Sequence, residues 1–194
     1  MAYQYDAYFS YKRDRESDAW HECVKKKLEF WVKQEPGVGT SVKFFFDSEE
    51  ISTGMRWHQK LASALKASKC LICVWSPLYF KSKWCISEWK TFIAREQIGN
   101  WELVVPASFF DGDTFPDEAK ARQFKDFSDY TSTMPRFWDT DSAVQFEDKL
   151  LKPFAKDLAR MIRSAPPYDE AFPIVEESDH NIQGDDTIGR ISNA

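Results

Sequence analysis

Residues 70–75, Cys-Leu-Ile-Cys-Val-Trp, carry no charged side chain and are bracketed by Lys69 and by Ser76-Pro77. The run does not alternate, so a strand made from it must be covered on both faces. It is far shorter than the ~20 apolar residues a membrane helix needs. A strand buried on both sides belongs in a parallel sheet between helices. Residues 3–9, 42–46, 103–109 and, more weakly, 126–130 read as its companions. Helical periods alternate with them over residues 15–33, 55–67, 82–97 and 141–164, with a short helix over 118–125. In the first helix Trp20, Val24, Leu28 and Trp31 share a side, and Lys25–Lys27 belong mainly to the solvated one. In the last, Val144, Leu150, Leu151, Phe154, Leu158 and Ile162 point inward, and Pro153 is placed to bend it.

The expected fold class is therefore α/β, a flavodoxin-like doubly wound five-stranded parallel sheet with helices on both faces. Residues 1–165 form its single domain, and residues 166–194 read as an extended C-terminal tail or linker. Such sheets bind ligands beyond the carboxyl ends of their strands. Attention falls on the loops after the first three strands and on the start of the helix at Ser82.

Composition excludes several classes of function. Aromatic residues make up 16% of the chain, too many for a disordered polymer. A net charge of −5 gives no global attraction to nucleic acid or to an anionic membrane, so neither is an expected partner. Cys23, Cys70, Cys73 and Cys85 do not form a disulfide framework, and Cys70 and Cys73 read as small core residues of a strand. No signal peptide and no N-x-[ST] sequon are visible, which suits a cytoplasmic setting. Glycine-rich phosphate cradles, H-E-x-x-H and G-x-S-x-G are absent, and His21, His58 and His180 are scattered. No metal site is expected.

Three segments resemble a known family. Tyr5-Asp6-Ala7-Tyr8-Phe9-Ser10-Tyr11 resembles the first box of Toll/interleukin receptor (TIR) domains, aromatic-Asp-x-Phe-x-Ser. Asp47 through Gly54-x-x-Trp57 resembles their second loop, the BB loop, with the helix that follows. Ser76-Pro77-x-Tyr79-x-x-Ser82-x-Trp84-Cys85-x-x-Glu88 resembles the exit from the third strand in bacterial and plant TIR domains. The match spans residues 3–165 in order and spacing, and Phe137-Trp138 corresponds to a third box. Residues 111–137 are a longer stretch than the pattern has. Some members of the family are scaffolds; others hydrolyse or cyclise NAD⁺ with a glutamate on the helix after the third strand. In bacterial examples an aromatic residue stands four positions before that glutamate, as Trp84 stands before Glu88 here. The resemblance thus implies an NAD⁺ glycohydrolase or ADP-ribosyl cyclase of anti-phage or innate-immune-like signalling. It also implies activation by self-association through TIR–TIR contacts and a downstream effector sensing a cyclic ADP-ribose product. NAD⁺ is the substrate, and no cofactor is expected.

The residues support the chemistry independently. At about 100° per residue, Glu88 falls inside the arc of Trp84, Cys85, Ile86, Trp89, Phe92 and Ile93. A glutamate there is costly unless paired or functional, and burial raises its pKa. Nicotinamide leaves from a pyridinium cation and needs no proton. One carboxylate beside the ribose can stabilise the oxocarbenium character that develops. Trp84, one turn earlier, can stack on a planar ring. Arg56, Lys12 and Arg95 are the candidate cations if Glu88 is instead a structural ion pair.

Weaker candidates for substrate binding are Ser10, Tyr11, Lys12 and Arg13 after the first strand, with Lys12 or Arg13 contacting the pyrophosphate and Tyr11 stacking on a base. Asp47 and Trp57 complete the set, and Asp47 can alternatively cap its loop. Glu49, Glu50 and Ile51 are candidates for a gate or an assembly surface, and Gly54, the sole glycine of that loop, can permit a backbone turn that other residues resist. The competing readings are a non-catalytic TIR–TIR interaction or adaptor module and a domain that binds NAD⁺-like ligands without turnover.

Overall fold

A computed structural model describes residues 2–47 and 55–176, the side chains of residues 55–58 excepted. Five strands make one sheet: β1 Tyr5–Tyr11, β2 Phe44–Phe45, β3 Ser68–Trp75, β4 Val104–Ser108 and β5 Lys125–Asp126. Their order is β2-β1-β3-β4-β5, and every pairing is parallel. This is the doubly wound arrangement that strand–helix alternation implies.

The apolar run sits at its centre. Cys70, Ile72 and Val74 face one layer, Leu71, Cys73 and Trp75 the other. The first layer holds helices α1 Asp18–Gln34 and α6 Lys152–Ser164; the second holds α2 Met55–Lys66, α3 Lys83–Gly99 and the short α4 Asp117–Lys120. β2 and β5, at the edges, keep only two paired residues each; β5 meets its expected range, 126–130, at Asp126 alone, and Ser128–Tyr130 turn into a 3-10 helix. The residues of the third box lie in a 3-10 turn, Pro135–Asp139, where Phe137 is buried and Trp138 packs on the α1 layer.

The closing helix is not continuous. A helix α5 Asp141–Phe146 passes through a π turn, Glu147–Leu151, into α6, with Pro153 in the first turn of α6. Proline lacks the N–H that an α ladder would use there. The wide turn takes in an extra residue and so shifts the helical phase between its two sides. Ala143 and Phe146 therefore point inward, while Val144, expected in the core, is 59% exposed.

Beyond Ala165 the chain runs without helix or strand to Glu176, yet it is not detached. Phe172 is buried, Tyr168 meets Tyr3 edge-on, and the Val175 amide donates to Thr91 Oγ1 on α3 at 2.9 Å. Thus α3 is covered on two flanks. That is why Ser87, Thr91 and Arg95, polar on the helical wheel, are buried beside its apolar arc. Among the described residues, no helix is long and apolar enough to cross a membrane.

Candidate active site

The two-residue period of β1 sets up the site. Ala7, Phe9 and Tyr11 join the α1 layer, and Tyr8 lies in the α3 layer. Ser10 shares the parity of Tyr8 and reaches the same helix. α3 starts after a 3-10 turn, Tyr79–Lys81, with Ser82 as its N-cap, whose hydroxyl accepts from the Cys85 amide at 3.5 Å. Glu88 then emerges over the carboxyl half of β1, next to the point where chain order reverses between β1 and β3.

The Glu88 carboxylate is buried and held by neutral donors. The Tyr8 hydroxyl donates to Oε1 at 2.6 Å, and the Ser10 hydroxyl donates to Oε2 at 2.5 Å. Ser10 Oγ also lies 2.8 Å from the Tyr79 hydroxyl, which stands 3.5 Å from Cys73 Sγ. Ser10 has one proton. When Glu88 is ionised that proton goes to the carboxylate, and Ser10 accepts from Tyr79. Each carboxylate oxygen retains a lone-pair direction for a further donor. Among the described residues no cation is paired with Glu88. Arg95 points elsewhere, donating to the carbonyls of Ser68 and Leu65 at 2.9 and 3.1 Å.

Burial pushes the Glu88 carboxyl up to about 7, against the hydrogen bonds from Ser10 and Tyr8 that favour its charged form. Asp47 raises it further and Arg13 lowers it, so both charges are near enough to act. The same burial lifts the Tyr8 and Tyr79 hydroxyls well above their ordinary range, keeping both protonated as donors.

A cavity of ≈ 360 Å³ opens beside Glu88, walled by Leu61 and Leu65 of α2, by Trp84 and Ser87 of α3, and by Ile174 and Val175. That lies within the range of small-ligand sites, about 300–1,000 Å³. Trp84 is 39% exposed, so its indole lines an opening and is not core packing.

The other sequence candidates divide. Ser10 touches Glu88 directly. Arg13 donates through Nε to the Asp47 carbonyl at 2.9 Å, and its Nη2 meets Asp47 Oδ2 at 3.0 Å. Asp47 is therefore engaged by a side chain from the first loop, where a backbone cap was one reading. The Tyr11 hydroxyl reaches the Arg13 side chain, but its ring is not part of the Glu88 cavity. It is buried on the opposite face, stacked on Phe46 at 5.0 Å and tilted against His21 at 4.4 Å, because its parity is that of Phe9. Lys12 is exposed and borders a different, smaller cavity at the strand ends, with Ser76 and Phe109. The Arg56 and Trp57 side chains and residues Glu49, Glu50, Ile51 and Gly54 lie outside the described residues. Sequence reasoning assigned no role to Tyr8, Tyr79 or Val175. The shared parity of Tyr8 and Ser10 on β1 was the available signal for the first. Cys70, Cys73 and Cys85 are buried free thiols, and among the described residues no cluster of His, Cys, Asp or Glu is arranged to hold a metal ion.

No curated protein matches this chain at a significant level. Among solved structures, the TIR domains of the activated Roq1 resistosome, which directly recognises the pathogen effector XopQ, align with 18% identity. That alignment covers 83% of this chain and 96% of the other, at a TM-score of 0.42. The family model described as TIR domain matches residues 8–138, well over half of the sequence, from the strand carrying Tyr8 and Ser10 to the turn carrying Trp138. By that match, the chain belongs to the TIR-domain family.

Proposed function

We propose that this TIR domain cleaves NAD⁺ at the nicotinamide–ribose bond, with Glu88 as the catalytic carboxylate. One observation carries the reading: a buried carboxylate, in no ion pair among the described residues, faces a ligand-sized cavity edged by an indole. A charge in that position costs stability unless it serves a ligand. The C1′–N bond breaks with its electron pair going to the pyridinium nitrogen, so nicotinamide leaves neutral. Positive charge spreads over C1′ and the ring oxygen of the ribose, where the ionised carboxylate stabilises it. Water then adds at C1′ and gives up one proton, which a carboxylate titrating near neutrality can accept. The products are ADP-ribose, nicotinamide and a proton. If an internal nucleophile of the ADP-ribosyl group replaces water, the product is cyclic.

Trp84 supplies a face for the departing nicotinamide or for adenine. Ser10 and the Arg13–Asp47 pair border the same carboxylate. Activation by self-association, signalling through a cyclic product and a role in anti-phage defence belong to the same proposal and rest on family membership. The adaptor reading draws support from exposed Leu78 and Phe110, which border the smaller cavity on the other side of the sheet edge and offer an apolar contact surface.

Nicotinamide release from NAD⁺, followed with concentrated, demonstrably self-associated protein, decides between them. Wild type is expected to turn over, with a rate that rises as pH passes through about 7. Glu88→Ala and Glu88→Gln are expected to lose at least about 10²-fold in kcat. An assembled but inert wild type supports the adaptor.

A further inference from the structure

We propose that the Tyr8 hydroxyl is a positioning group for Glu88, fixing Oε1 before a ligand enters and leaving the outer lone pairs of the carboxylate for the substrate. This rests on the NAD⁺ reading for its function but not for its geometry. The hydroxyl is not what holds the ring in place. The ring is immobilised without it: Tyr8 is 1% exposed and stacks on Phe45 at 4.9 Å with 27° between planes. A rigid ring puts its oxygen at one point, and that point is 2.6 Å from Oε1. Ser10 is held comparably by Tyr79, 2.8 Å away. The carboxylate is thereby gripped at both oxygens by two donors that come from alternate residues of one strand. Neither donor carries charge, so the negative charge is oriented without being neutralised and stays available to a developing cation.

Both groups depend on the arrangement. Without Glu88 the Tyr8 hydroxyl would be buried with no acceptor; without Tyr8 one carboxylate oxygen would lose a donor inside a dry layer. Burial raises the Glu88 carboxyl, and the two hydrogen bonds resist that rise. Removing one of them disfavours the ionised form further.

Tyr8→Phe isolates the effect, because it keeps the ring and its stacking on Phe45. Two readouts are taken on the full chain: titration of the Glu88 side-chain carboxyl by ¹³C NMR, and the pH profile of nicotinamide release. The carboxyl midpoint is expected to move up by about one pH unit, since a hydrogen bond to a charged group is of that size. The acid limb of kcat should follow it, giving a roughly tenfold loss at acid pH and a smaller one at alkaline pH. A purely structural role would lower the melting temperature and the amplitude without moving either midpoint, and that outcome overturns the inference. If the carboxyl midpoint moves but wild type releases no nicotinamide, the positioning geometry stands and the NAD⁺ reading fails.

Discussion

Glu88 and His21 are buried on opposite faces of the sheet, and burial shifts them in opposite directions. The Glu88 carboxyl rises from 4.5 to about 7, and the His21 imidazole drops from 6.5 to about 3. The folded chain thus keeps a proton on Glu88 that the unfolded chain releases, so stability falls as pH rises from about 4.5 to about 7. It also refuses a proton on His21 that the unfolded chain takes up, so stability falls as pH drops from about 6.5 to about 3. Where those windows overlap, from about 4.5 to about 6.5, the two slopes oppose each other. Glu88→Gln removes only the first. It should therefore gain on wild type by about 1.4 kcal/mol per pH unit across the Glu88 window. Thermal melts of both proteins near pH 4 and near pH 8 check this, and parallel curves would mean that Glu88 titrates alike in the folded and unfolded chains. That Glu88 sits inside an apolar arc is readable from the spacing around Trp84, Trp89 and Phe92. That Tyr8 reaches it is not, because a hydroxyl on a core aromatic finds its partner only once two elements are docked. Tyr11 shows the same gap: its place after the first strand suggested a ring stacked on a base, but strand parity put that ring in the other layer and left only its hydroxyl with Arg13.

At the scale of elements, the alternation of strands and helices was legible because burial on both faces removes polar residues from a strand. Edges were less so. β2 is shorter than its apolar run and β5 has no such run at all, since pairing, not hydropathy, bounds an edge strand. The inward set of the last helix failed at Val144 because a π turn changes phase without leaving a hydrophobic signature. Arg95 is the clearest case of a role that only docking creates. Fully buried, it ties α3 to the end of α2 through Leu65 and to the start of β3 through Ser68, and its guanidinium lies between Phe92 and Phe172 at 4.3 and 4.4 Å. Burial lowers its pKa to about 10, still charged at neutral pH. Arg95→Met keeps the bulk but strands two buried carbonyls. A loss of about 2 kcal/mol or more is expected, roughly 4–8 °C in melting temperature. An unchanged melt would show that those carbonyls find other donors.

For the molecule as a whole, residues 177–194 of the stretch expected to be a tail lie outside the described residues, and residues 166–176 cover α3 and close one side of the cavity. Phe172 is their anchor, packed edge-on against Trp101 and across Arg95. Phe172→Ala should cost about 3 kcal/mol. If that segment is an accessory and not part of the core, calorimetry will show a far smaller loss and an unaltered midpoint. Its attachment was hard to read because a single aromatic in a proline-rich, polar stretch has no period. The direction in which it runs has a mechanical meaning. After Phe172 the chain passes along the rim of the opening and is pinned to Thr91 by one amide, so anything hitched beyond Glu176 is tethered at the doorway. A pull on that tether loads the Val175–Thr91 link before it loads the sheet, and the first part of the domain to feel it is the entrance next to Glu88.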